Sequence, residues 1–174
     1  MNNDQALANA TRVYQETCAQ AVKIEGGAER AEMVRYLKSH GIAVVAHIGL
    51  MPQSVRAEGG YHIRGKNEAN IESMLADAKA LEEAGAFAMV LEGMKPEAAN
   101  RITQILSIPT IGIGAGSGTD GQVLVWSDMF GFFETFKPKF VKRYLDGASA
   151  IRKSLEQYRN EVKGREFPDE EHCY

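Results

Sequence analysis

The chain has 174 residues, 44% of them hydrophobic and 25% charged, with a formal net charge of −3. That balance is typical of one soluble globular domain, and the lack of a basic block excludes an electrostatic case for nucleic acid or an anionic membrane. No apolar run approaches the roughly 18 residues that span a bilayer, and the polar start MNNDQALANA lacks the regions of a signal peptide. Cys18 and Cys173 stand at opposite ends, which argues against a disulfide framework or a zinc site and fits a reducing cytoplasm.

Residues 4–19 place Leu7, Ala10, Tyr14, Thr17 and Cys18 at helical spacing. AVKIE (21–25) reads as a strand stopped by Gly26 and Gly27. A helix follows at about 28–39, with Val34 and Leu37 inward and Gly41 just past its end. IAVVAHI (42–48) is almost wholly apolar, as a parallel strand covered on both faces must be. Residues 49–66 form a long Gly-rich loop, and loops of that length are often functional. A helix over about 67–84 carries Ile71, Met74, Leu75, Ala78 and Leu81 on one face and ends at Gly85.

FAMVL (87–91) is the next strand. Pro96 opens a helix whose stripe is Ile102, Ile105 and Leu106. TIGIG (110–114) and QVLVW (122–126) read as two more strands. The connection between them is short for a parallel crossover, so the start of a helix is the alternative reading of QVLVW. A C-terminal amphipathic helix is expected from about 138 to 162, its charged face solvated. Strands alternating with helices imply a parallel sheet, either doubly wound or a (β/α)₈ barrel.

The strands share an ending in which a polar or ionisable residue precedes glycine: Glu25 before Gly26, His47 before Ile48-Gly49, and Glu92 before Gly93. In a parallel sheet these ends share the edge where ligands bind. Lys23 and Glu25 are two apart on a strand and project from one face. A lysine, two carboxylates and an imidazole on one mouth suit a small anionic oxygen compound. The lysine can hold a carboxylate, one Glu can ligate Mg²⁺, and the other, shielded from water, can act as a base. Plainer roles exist for each. A strand-end Glu can cap the next helix, His47 can be a core histidine, Lys23 can reach out to solvent, and Gln53, Ser54 and Tyr61 can be ordinary loop residues. Gly116, Gly118 and Gly121 form a G-x-G-x-x-G spacing, but no helix pattern or acidic ribose ligand follows, so a nucleotide fold is rejected.

VKIEGG (22–27), HIGLMPQS (47–54), GGYHIRG (59–65), ALEEAGAFAMVLE (80–92), IPTIGIGAG (108–116), DGQVLVWSDMFG (120–131) and PKFVKRY (138–144) resemble, in the same order, the ketopantoate hydroxymethyltransferases. FPDEEH (167–172) is similar to the family's tail. The resemblance implies a (β/α)₈ TIM barrel of the phosphoenolpyruvate/pyruvate type, cytoplasmic and assembled as a homo-oligomer. It implies transfer of a hydroxymethyl group from 5,10-methylenetetrahydrofolate to 3-methyl-2-oxobutanoate with Mg²⁺. It assigns substrate binding to Lys23 and His47, the metal side to Glu25 and proton abstraction to Glu92.

Two departures stand out. Gly93-Met94-Lys95-Pro96 replaces the family's shorter Cys/Val-Pro pattern. The family's early Gly-Asp-Ser motif and second aspartate, which ligate Mg²⁺ directly, have no counterpart here. About five of eight strands are accounted for, so residues 1–174 are expected to be a single partial barrel, N-terminally truncated, unstable and inactive alone. The alternatives are a non-catalytic remnant that partners the full-length enzyme, or an isocitrate-lyase-like enzyme, whose cysteine-bearing loop is absent from these motifs.

Overall fold

The computed structural model describes residues 2–57 and 59–174, so Glu58 of the long loop lies outside the described residues. The chain divides into two compact units, Met1–Val123 and Leu124–Tyr174.

The first unit opens with α1 (Asn3–Glu16), capped by Asn2, whose side chain accepts from the Gln5 amide at 2.9 Å. There follow β1 (Val22–Glu25), a 3₁₀ turn at Ala28–Arg30, α2 (Ala31–Ser39) and β2 (Val44–Gly49). Then come α3 (Glu68–Ala84), β3 (Ala88–Glu92), α4 (Pro96–Ile105), β4 (Thr110–Ile113) and β5 (Gly121–Gln122). Asn67 caps α3, and Gly85 ends it at φ 106, a backbone state that favours glycine.

The five strands are parallel and stand in the order β1-β2-β3-β4-β5. An order without reversal is the winding of a barrel, whereas a doubly wound sheet turns back on itself. Alternation along the strands agrees. Val44, Ala46, Ile48, Met89 and Leu91 join Val34, Leu37, Ile71, Ala78, Leu81 and Ile102 of the helices in one core. Each fully buried leucine, such as Leu37 and Leu81, contributes roughly 1.5–3 kcal/mol. The alternate residues Lys23, Glu25, His47, Val90 and Glu92 take the opposite face. The α/β fold with five barrel-type strands is therefore the one expected.

Three expectations are corrected. QVLVW is not a five-residue strand, because β5 ends at Gln122 after pairing only Gly121 and Gln122 with Ile111 and Gly112. The short preceding connection is held by Asp120, which accepts from the Thr110 amide and hydroxyl at 2.8 and 3.0 Å. Ile105 is exposed, while Ile102 is buried as expected and is joined on α4 by buried Ala98 and Ala99. The last helix begins at Gly147 and not near 138.

The second unit contains α5 (Trp126–Met129) and α6 (Gly147–Gly164). Between them the backbone bonds back on itself, Tyr144 N to Met129 O and Gly147 N to Phe130 O, each at 2.8 Å, so residues after Pro138 cannot continue a helix. Phe167 packs edge-on to Tyr158, 5.5 Å between ring centres. Ile151, Leu155 and Tyr158 of α6 are exposed, so this helix face is more apolar than a purely solvated one.

Candidate active site

All four residues singled out in the sequence meet at the carboxyl ends of β1, β2 and β3. Register decides this: Glu25 pairs with His47 across β1 and β2, and Gly49 pairs with Glu92 across β2 and β3. The Lys23 ammonium lies 3.0 Å from Glu25 Oε1 and 2.9 Å from His47 Nδ1. On the far side of the imidazole, Nε2 stands 3.2 Å from Glu92 Oε2. The cluster is thus a row across three strands, with Lys23 and Glu25 at one end and Glu92 at the other.

The groups differ in environment. His47 is only 1% exposed, while the Lys23 side chain is 43% exposed and that of Glu25 is 6% exposed. Burial pushes the Glu25 carboxyl up, but the Lys23 hydrogen bond, the Gln53 amide and the Lys23 charge together hold it below the usual carboxylate range. With one partner so exposed, the Lys23–Glu25 pair adds about 0–1 kcal/mol of stability. Its effect is on geometry. His47 Nε2 is a buried nitrogen without a hydrogen-bond partner among the described residues; its approach to Glu92 is close but not aligned for a bond.

The loop after β2 completes the rim. Pro52 starts a 3₁₀ turn, and the Gln53 amide donates to Glu25 Oε2 at 3.1 Å. Gln53 was open to being an ordinary loop residue; its contribution comes from the backbone, which carries no side-chain signal. The end of the same loop braces the segment after Glu92. Arg64 N donates to Gly93 O, and Lys95 N to Arg64 O, each at 3.0 Å. The unusual Gly93-Met94-Lys95 stretch is therefore paired backbone with a buried Met94. An open pocket of about 230 Å³ adjoins β1, bordered by Lys23, Glu25 and Gln53 but not by His47 or Glu92.

Glu25 offers one carboxylate, and both of its oxygens already accept hydrogen bonds. Among the described residues no group of three or more His, Cys, Asp or Glu side chains could hold a metal ion. Magnesium asks for a near-octahedral set of oxygen donors. The residues present do not make such a site by themselves.

Residues 1–170 match the family model for ketopantoate hydroxymethyltransferase. The chain belongs to that family. Among relatives, the 3-methyl-2-oxobutanoate hydroxymethyltransferase of Aliarcobacter butzleri (strain RM4018) is 56% identical over 174 residues, covering 100% of this chain and 65% of its own length. The protein of the same name from Wolinella succinogenes is 57% identical over 171 residues, covering 98% of this chain and 65% of its own length. That from Sulfurimonas denitrificans is 54% identical over 173 residues, covering 99% and 66%. This ketopantoate hydroxymethyltransferase family member thus spans about 65% of the length of the first two relatives. No described helix is long and apolar enough to cross a membrane.

Proposed function

We propose that the chain supplies the enolising part of a hydroxymethyltransferase site acting on 3-methyl-2-oxobutanoate, with 5,10-methylenetetrahydrofolate as the one-carbon donor. The observation that carries this reading is the row Lys23–His47–Glu92, in which a cation, a buried imidazole and a carboxylate follow one another within hydrogen-bonding distances. Family membership supports the choice of substrate.

The chemistry follows from the groups. An ammonium has three donors, and two of those on Lys23 are taken by Glu25 and His47. The third is available to the carboxylate of the oxo acid. Glu92, at the far end, is the base that removes the proton from C3, and the electron pair moves into the enolate. A hydrogen-bond donor beside the oxo oxygen stabilises the negative charge that develops there. His47 lies between the anion-holding lysine and the base. The methylene carbon carries two bonds to folate nitrogens. The enolate carbon displaces one and the oxygen of water displaces the other. The two nitrogens take up the proton from C3 and one from water, so that tetrahydrofolate leaves.

Magnesium on Glu25 belongs to this reading only with oxygen donors beyond those described. A cytoplasmic homo-oligomer is part of the same proposal. Exposed Trp126, Phe136 and Leu155 in the second unit support association.

The test is the partial reaction that these residues can show without folate. The purified chain, although expected to be inactive in the complete transfer, should in heavy water still speed loss of the C3 proton signal of 3-methyl-2-oxobutanoate. Glu92→Gln should abolish that acceleration, a loss of about 10²–10⁴-fold, with an unchanged circular dichroism spectrum. Exchange no faster than in buffer would rule out the assignment.

A further inference from the structure

We infer that the Lys23–Glu25 pair fixes the neutral His47 ring as the form protonated on Nε2, which makes His47 a hydrogen-bond donor next to Glu92 and leaves Lys23 and Glu25 as positioning residues for it. The tautomer rests on contacts alone. Only the identity of what the donor faces rests on the function proposed above.

A neutral imidazole has one donor nitrogen and one acceptor, and its neighbours decide which is which. Nδ1 has two polar neighbours, Lys23 Nζ at 2.9 Å and Glu25 Oε1 at 3.5 Å. An ammonium has no lone pair, so a bond at 2.9 Å requires Nδ1 to accept. The alternative, a proton on Nδ1 donated to Glu25, has only the long contact and sets that proton against those of Lys23. Nδ1 is therefore the acceptor, and the single proton of the neutral ring lies on Nε2.

Glu25 works one step further back. Its Oε1 takes a second Lys23 proton, and its Oε2 is tied to the Gln53 amide. This holds the half-exposed lysine, which would otherwise sample many rotamers, against the buried ring. At the other nitrogen, the Nε2 proton has no aligned acceptor. Leaving a buried donor unpaired costs about 1–3 kcal/mol. An acceptor oxygen that binds in line with the Nε2 proton recovers that cost. The proton is thus set on the side of the ring where the oxo oxygen needs a donor, and Glu92 is left as the group that accepts a proton.

The experiment is long-range proton–nitrogen correlation on the whole chain with ¹⁵N-labelled histidine, above the pH at which imidazoles are charged. The chain has four histidines; the signal lost in His47→Gln identifies His47. In the unsubstituted chain, Nδ1 should resonate as a bare nitrogen and Nε2 as a protonated one. A charge-assisted hydrogen bond biases the tautomers by about tenfold or more. The minor Nδ1-protonated population should therefore rise about tenfold in Lys23→Met and return to its low level in Lys23→Arg. If Lys23→Met does not fold, Glu25→Gln should show a smaller rise, since it keeps the lysine and loosens it. An Nδ1-protonated ring in the unsubstituted chain, or tautomers unchanged in both variants, would overturn the inference. The spectra are independent of exchange at C3, so this inference and the proposed function can fail separately.

Discussion

Gly49 and Glu92 sit opposite one another in the sheet register, and Gly49 has no side chain because the Glu92 carbonyl oxygen occupies the place where a Cβ would stand. Gly49 also has φ 104, which L side chains rarely adopt. Next to it, the Leu50 amide donates to the same carbonyl at 2.8 Å. The backbone of the proposed base is thus gripped by the strand that carries His47.

Gly49→Ala should therefore be costly. It combines a strained φ, at about 1 kcal/mol, with overlap onto backbone that cannot rotate aside, for a total of roughly 2 kcal/mol or more. Urea unfolding of the two proteins measures it. A difference below about 0.5 kcal/mol would mean that the strand ends are not packed as described.

Tyr14 links α1 to the start of the sheet. Its hydroxyl donates to Gln20 O at 2.7 Å and accepts from the Ala43 amide at 2.8 Å. Tyr14→Phe strips one partner from each of those backbone groups, and a loss of roughly 1–3 kcal/mol is expected. Faster hydrogen exchange at the Ala43 amide should accompany it, and an unaltered exchange rate would count against the link.

Glu82 sets a pH dependence. The Lys79 hydrogen bond, outweighing partial burial and helped by the Ser107 and Ile108 amides, holds its carboxyl below the ordinary value of 4.5. A depressed folded value means that the stability it contributes is present above 4.5 and lost as pH falls below that, through the folded value. Denaturation midpoints from neutral pH into this acid range should fall less steeply for Glu82→Gln than for the unsubstituted chain. Parallel curves would show that Glu82 contributes nothing to the slope.

The two leucines Leu81 and Leu155 should behave oppositely. Leu81 is fully buried on α3, and Leu155 is exposed on α6. Leu81→Ala should cost about 2–5 kcal/mol, whereas Leu155→Ala should stay within about 0.5 kcal/mol for the chain on its own. Thermal or urea unfolding distinguishes them, and equal losses would mean that α6 buries that face.

The strands β1 to β4 were legible because buried parallel strands are short apolar runs ended by glycine. Lys23, Glu25, His47 and Glu92 were legible for the same reason, since position near a strand end fixes the rim. QVLVW was not, because periodicity cannot say how much of a five-residue apolar run will pair. Here only Gly121 and Gln122 pair with β4, and the Val123 amide adds one last bond to Gly112 O at 3.0 Å. The start of α6 was misplaced because tertiary backbone bonds from Tyr144 and Gly147 override the helical pattern of residues 138–146. The part played by Gln53 had no side-chain signature, and the tautomer of His47 depends on a distance that no spacing encodes.

The row from Lys23 through His47 to Glu92 also acts as a check on assembly. Side chains change face with every residue along a strand, so a slip of β2 by one position would swing the imidazole toward the helices and disconnect the lysine from the carboxylate. A misaligned sheet would be chemically silent. Turnover, wherever it is observed, certifies that three strands have found their proper alignment.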